Sequence, residues 1–241
     1  MKANIAQRLI ELNRQFYTDF GEPFSATRGR IQPGVRRIID LLNGDETILD
    51  LGCGNGELAR ALARNDHRGA YLGLDFSLPL LADADSVPEG FSAEFREADL
   101  TQLSVDSIRS SVTDHWSLIT AFAVLHHIPS HNLRLDILKT IRTLLAEGGR
   151  FIHSNWQFLN SQRLRMRVQK WSEAGLTESD VDKNDYLLYW RSGGTGLRYV
   201  HQFSETELAA LAESSGFKIV ETFYSDGKEG NLAIYQVWTP K

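Results

Sequence analysis

The run Ile48-Leu49-Asp50-Leu51-Gly52-Cys53-Gly54-Asn55-Gly56-Glu57-Leu58 leaves the chain few folds. An apolar strand enters a loop with glycine at every second position, and a helical pattern follows. Gly52, Gly54 and Gly56 let the backbone turn sharply and bring its N–H groups against a ligand, because no Cβ blocks the approach. A loop that cradles a pyrophosphate reads G-x-G-x-x-G, whereas this one reads G-x-G-x-G and has Glu57 three residues after Gly54. Asp50, two residues before the first glycine, would repel a pyrophosphate and attract the ammonium of a bound amino acid, directly or through water.

Two further acids fall where a doubly wound sheet ends its next strands. Tyr71-Leu72-Gly73-Leu74-Asp75-Phe76-Ser77 reads as a second strand closing on Asp75, about twenty residues beyond the glycine loop, where a carboxylate can accept both ribose hydroxyls. Phe95-Arg96-Glu97-Ala98-Asp99-Leu100 reads as a third short strand. With all three acids in register, the chain resembles the class I S-adenosylmethionine-dependent methyltransferases. The resemblance implies S-adenosylmethionine as cofactor and S-adenosylhomocysteine as product. It assigns cofactor contacts to Asp50, Gly52, Cys53, Gly54, Asn55, Gly56, Asp75, Phe76, Ser77, Asp99, Leu100, Ala121 and Phe122, with Asp99 on the adenine amino group.

At 241 residues the chain has room for one α/β domain with a small insertion. No apolar run approaches the roughly twenty residues that cross a bilayer, and the N-terminus lacks a secretion-signal pattern, so a cytoplasmic protein without membrane contact is expected. Cys53 is the single cysteine, which excludes an internal disulfide and a cysteine-rich zinc site; in the loop it reads as a small residue that fits, with a reactive thiol as the alternative. A net charge of −5 argues against a surface that attracts nucleic acid throughout, but leaves local basic patches open. Arg163-Leu164-Arg165-Met166-Arg167-Val168-Gln169-Lys170 is the densest of these, readable as a solvated helix face or as an RNA backbone contact.

Residues 1–32 are expected to form an N-terminal lid, whose helix buries Ile5, Leu9, Leu12, Phe16 and Phe20 before Gly21-Glu22-Pro23 interrupts it. A second helix starts near Pro33. Residues 45–156 form the cofactor-binding core: Trp116 to Leu125 is a nearly continuous apolar run, expected as a fourth strand beside the first, then a helix through Leu145 and a strand from Arg150 to Trp156. Residues 204–241 supply a closing helix, capped by Ser204 and Glu207, and two strands. Their connection is too short for a helical crossover, so the last strand must run antiparallel. The expected fold is a doubly wound, seven-stranded, mostly parallel sheet. Residues 157–203 break the alternation and are expected as a substrate cap over the carboxyl edge of the sheet.

Methyl transfer from a sulfonium needs chiefly a dry, in-line encounter, so the acids are binding groups and none is assigned to proton transfer. His126 and His127 lie in Ala121-Phe122-Ala123-Val124-Leu125-His126-His127-Ile128-Pro129, which resembles the family's motif IV; His126 is the candidate base for a hydroxyl or amine acceptor. No third ligand accompanies the pair, so no metal site is assigned. Phe16-Tyr17 with Thr27-Arg28, residues 185–190 and Arg198-Tyr199-Val200-His201-Gln202-Phe203 resemble the methyltransferases that esterify 5-carboxymethyluridine at the tRNA wobble position. That resemblance implies that Tyr17 and Arg28 close over the cofactor, that Arg191, Arg198, Tyr199 and His201 face the acceptor, and that a small activating partner subunit takes part. A carboxylate acceptor is ionised at neutral pH and wants an arginine rather than a base. A small-molecule O- or N-methyltransferase, a nicotinamide oxidoreductase and a non-catalytic cofactor-binding subunit are the alternatives.

Overall fold

The computed structural model describes residues 1–26, 29–84, 86–108, 115–191 and 194–241, with the backbone alone for 22–26. Helices α1 (Ala3–Ala26) and α2 (Pro33–Ile39) precede strand β1 (Ile48–Leu51), and α3 (Glu57–Arg64) follows the glycine loop. Next come β2 (Tyr71–Asp75), α4 (Leu78–Ala84), β3 (Ala93–Glu97), α5 (Val105–Ile108), β4 (Trp116–Phe122), α6 (His131–Leu144) and β5 (Leu145–Trp156). The insertion holds α7 (Gln162–Arg165), β6 (Val168–Gln169), β7 (Asp185–Trp190) and β8 (Gly196–His201), and α8 (Glu205–Ser214), β9 (Phe217–Ser225) and β10 (Ala233–Pro240) complete the chain.

Seven strands form one sheet in the order β3-β2-β1-β4-β5-β10-β9. The first five are parallel, and β10 runs antiparallel to both β5 and β9. Every residue of β1 and β2 is buried, as expected of strands covered by helices on both faces. One apolar cluster fills one side of the sheet, with Trp116, Phe151 and Trp238 among its largest members; a second, around Ile48, Leu62 and Tyr235, fills the other. The strand order reverses between β1 and β4, and a parallel sheet leaves a crevice at such a point beyond its carboxyl ends.

The insertion folds as a second, antiparallel sheet, β6-β7-β8. Helix α1 packs Ile5 and Leu9 against Leu187 and Tyr199 of this small sheet and Trp171 of the turn after β6, and Phe16 and Tyr17 against Leu80 and Trp190. It thus ties the insertion to the edge of the main sheet. The expected break at Gly21-Glu22-Pro23 does not occur: α1 continues to Ala26. Gly21 faces Pro79 of α4, where an added Cβ would lie 3.1 Å from the proline ring, and this packing holds the last turns despite the lost proline donor. The arginine-rich run 163–170 is neither one helix nor one strand, because α7 ends at Arg165 and β6 begins at Val168. No helix among the described residues is long and apolar enough to cross a membrane.

Candidate active site

A crevice of about 710 Å³ opens at the carboxyl ends of β1, β2, β4 and β5. Its floor is the glycine loop, where Gly52, Gly54 and Gly56 have φ of 72°, 56° and 75°. At Gly52 a side chain would also strike Val124, and the N–H groups of Gly52 and Cys53 both donate to the Leu74 carbonyl, which fastens the loop to β2. A Cβ at Gly54 would meet nothing within 4 Å, so the loop presents open backbone to the crevice there.

Asp75 ends β2 beside that loop. Its Oδ2 accepts from Gly54 N–H and its Oδ1 from Ser77 N–H, each at 2.9 Å. Burial raises its pKa, and the backbone donors of Ser77, Gly54 and Phe76 pull the other way. Each oxygen retains a lone pair for a ligand hydroxyl. Asp50 is 3% exposed and accepts from Tyr71 Oη at 2.6 Å and Thr120 Oγ1 at 2.7 Å. Even so, burial pushes its carboxyl up to about 6. A buried acid whose charged form is so disfavoured gains most from a neighbouring cation. Asp99 caps a short turn by accepting from Thr101 N and Oγ1, and its second oxygen pairs with Arg14 of α1 at 2.8 Å. These residues fit a ligand with a ribose diol near Asp75 and a positive charge near Asp50.

The opposite wall follows β4. Ala123 sits at φ 60°, a conformation a residue with a Cβ seldom adopts, and its N–H is held by the carbonyl and the hydroxyl of Ser154. That turn carries His126 and His127 to the crevice. His126 is buried and its Nδ1 accepts from Trp156 N–H at 3.3 Å. His127 Nδ1 lies 3.2 Å from the Tyr199 carbonyl, which can only accept, so Nδ1 carries a proton; Nε2 lies 3.1 Å from Tyr17 Oη, whose hydrogen it accepts when the ring is neutral. Asn13 of α1 locks this arrangement by donating to the carbonyls of His127 and Tyr199 and accepting from Tyr199 N–H. Deeper in, the Arg198 guanidinium lies 4.8 Å from the Trp156 ring centre, 5.4 Å from Phe16 and 5.5 Å from Trp190.

Among the residues singled out from sequence, Tyr17, Asp50, Gly52, Cys53, Gly54, Asn55, Asp75, Phe76, Asp99, Leu100, Phe122, His126 and Arg198 line the crevice. Gly56, Ser77 and Ala121 stand behind it: Gly56 starts α3, Ser77 fixes Asp75 through its backbone, and Ala121 is buried in β4. Tyr199 and His201, expected to face the acceptor, do not line the crevice. Tyr199 Oη donates to Asp185 at 2.7 Å, and His201 reaches Asp185 at 2.7 Å and Glu207 at 2.9 Å, so both side chains are spent on a buried network with Arg134. Alternation along β8 turns Arg198 to one face and Tyr199 to the other. Arg191 lies outside the crevice wall, exposed, over the Tyr189 ring at 5.1 Å. Thr27 and Arg28 lie outside the described residues. Sequence reasoning passed over Asn13, Arg14 and the Tyr235–Asp226 pair at the far end of the crevice. A polar Asn13 between Leu9 and Phe16 on the apolar face of α1 was the one available signal.

The doubly wound sheet, its antiparallel last strand and an acid-lined glycine crevice define a class I S-adenosylmethionine-dependent methyltransferase. A methyltransferase-domain family matches residues 24–222, and the chain belongs to that family. A protein of Encephalitozoon cuniculi named as a methyltransferase is 30% identical over 209 residues, covering 86% of this chain and 87% of its own. A ubiquinone biosynthesis O-methyltransferase of Burkholderia orbicola is 26% identical over 192 residues, covering 77% and 72%. The tRNA (carboxymethyluridine(34)-5-O)-methyltransferase of Mus musculus is 23% identical over 169 residues, or 68% of this chain and 23% of that longer protein. Among solved structures, magnesium protoporphyrin IX methyltransferase of Synechocystis with bound S-adenosylhomocysteine shares the fold at TM-score 0.66 and 17% identity, covering 96% and 99%. A methyltransferase of Methanosarcina mazei does so at 0.64 and 21% identity, covering 88% and 98%.

Proposed function

We propose that the protein methylates a carboxylate oxygen, the acceptor being a carboxymethyl group on the wobble uridine of tRNA in the cytoplasm. The observation that carries this reading is Arg198: a guanidinium 5% exposed, inside the crevice, framed by Phe16, Trp156 and Trp190. An arginine so placed orients a planar anion, and flanking rings stack a base at about 1–3 kcal/mol. The mouse relative, named for this very reaction, adds support.

S-adenosylmethionine would supply an electrophilic methyl on a sulfonium. Asp75 would hold its ribose hydroxyls, Asp99 its adenine amino group and Asp50 its ammonium, while Gly54 leaves room for the backbone to approach. Arg198 would hold one carboxylate oxygen of the acceptor toward the bound cofactor, which would supply the methyl group to that oxygen. No proton is released, so no base is needed. Tyr17, Phe76 and the Arg198 frame keep water out.

A second reading rests on the Tyr17–His127 hydrogen bond at the crevice wall, which could serve a phenolic acceptor, in line with the ubiquinone-pathway relatives. Incubation with methyl-labelled cofactor and separate pools of total RNA and metabolite extract decides. Alkali-labile label in RNA is expected; alkali-stable label in a small aromatic product would replace the first reading by the second.

A further inference from the structure

The mouth of the crevice carries basic residues that the proposed chemistry does not use. Arg163 in α7 and Arg167 before β6 both line the rim. Arg191 joins them from another element. Strand β6 pairs with β7, and Tyr189 N–H donates to the Arg167 carbonyl at 2.9 Å, so Tyr189 sits opposite Arg167 and Arg191 follows two residues beyond it. The three charges feel one another: partial burial, then Arg163, then Arg191, lower the pKa of Arg167.

This is more than the solvated face of one helical turn, because Arg191 comes from beyond β7 to join Arg163 and Arg167 of the 162–167 turn. In a chain with 31 acidic against 26 basic side chains, carboxylates are plentiful. Arg14, on the same crevice, has its acid, Asp99. Yet among the described residues none of Arg163, Arg167 and Arg191 pairs with a carboxylate. Like charges gathered without counter-ions repel, and an anion arriving from outside relieves the repulsion. Guanidinium groups match phosphate oxygens in bidentate fashion. Several of them outside a crevice, whose interior already holds one arginine for the reacting group, suit a ligand with repeated phosphates.

We propose that Arg163, Arg167 and Arg191 form a phosphodiester-binding rim that holds the RNA backbone flanking the nucleotide whose base enters the crevice. The assignment rests on the RNA reading of the acceptor. It gives the run 163–170 a task distinct from catalysis: Arg198 meets the reacting carboxylate, and the rim meets the chain that carries it.

The test is the salt dependence of binding to unfractionated transfer RNA. The triple variant Arg163→Gln, Arg167→Gln, Arg191→Gln is compared with wild type and with a charge-matched control, Lys139→Gln, Lys218→Gln, Lys228→Gln, whose lysines are exposed on α6, β9 and the turn after it. The slope of log affinity against log salt should become shallower by about 2 to 3 in the arginine variant and stay as in wild type in the lysine control. Calorimetry with S-adenosylmethionine, expected to give wild-type affinity, checks that the arginine variant is folded. An unchanged slope in that variant, an equal change in the control, or wild-type binding indifferent to salt overturns the rim. Methyl labelling of the RNA pool separates the two claims: label in RNA with an unchanged slope removes the rim and keeps the acceptor. RNA held through the arginines with label only in metabolites removes the acceptor and, with it, the rim's role in presenting a base to the crevice.

Discussion

Asp50→Asn should stabilise the cofactor-free protein, and the gain should depend on pH in a calculable way. Burial raises the Asp50 carboxyl from 3.8 to about 6, against the pull of the Tyr71 and Thr120 hydroxyls. The folded chain therefore holds the proton more tightly than the unfolded chain. Its stabilising share is complete below the unfolded pKa and is lost as pH rises through about 6. A shift of roughly two units corresponds to about 3 kcal/mol over the whole range, of which about 1.4 kcal/mol falls between pH 8 and pH 5. Asparagine does not titrate, so its advantage over the wild type should shrink by about that amount from pH 8 to pH 5. Urea unfolding of both proteins at the two pH values, without cofactor, measures the difference. Any direct effect of the amide on the Tyr71 and Thr120 hydrogen bonds cancels in the comparison. A difference that does not change with pH refutes the argument that this buried charge is held at a cost to the fold. The same variant should bind S-adenosylmethionine more weakly, since the ammonium loses its partner.

Arg198→Ala should cut methyl transfer at least tenfold, while calorimetry finds cofactor affinity near wild type; an equal loss of both would move Arg198 to the cofactor side. Gly34→Ala should destabilise by about 1–3 kcal/mol in thermal or urea unfolding, because the new methyl would overlap the Tyr235 ring where α2 packs on β10; an unchanged midpoint would show that the contact yields. At saturating cofactor, kcat should be flat between pH 7 and 9, because a carboxylate acceptor is already ionised; a limb in that range would bring the His127–Tyr17 pair into the chemistry.

The parts of this molecule that local chemistry dictates could be read from the chain. Alternating glycines, an acid before them and an acid at the end of the next strand can be satisfied together only at the edge of a doubly wound sheet, and apolar runs such as 116–122 can only be interior strands. The antiparallel last strand followed from a connection too short to cross over. What escaped notice depends on contacts between distant segments. Tyr199 and His201 look like acceptor groups in an aromatic, cationic stretch, but strand alternation and the waiting carboxylates of Asp185 and Glu207 draw them inward. Helix α1 runs past Gly21 and Pro23 because α4 packs against it, and nothing local announces that. Arg191 joins Arg163 and Arg167 only through the pairing of β6 with β7.

The most direct measurement is calorimetric titration of S-adenosylmethionine into the wild type and Asp75→Ala. Asp75 joins the glycine loop to the place where a ribose would lie, and losing charge-assisted hydrogen bonds there removes about 1.5–3 kcal/mol. Saturable binding to the wild type, weakened roughly tenfold to a hundredfold in the variant, is the expected result. Equal affinity in the two proteins would contradict the assignment of this crevice to the cofactor.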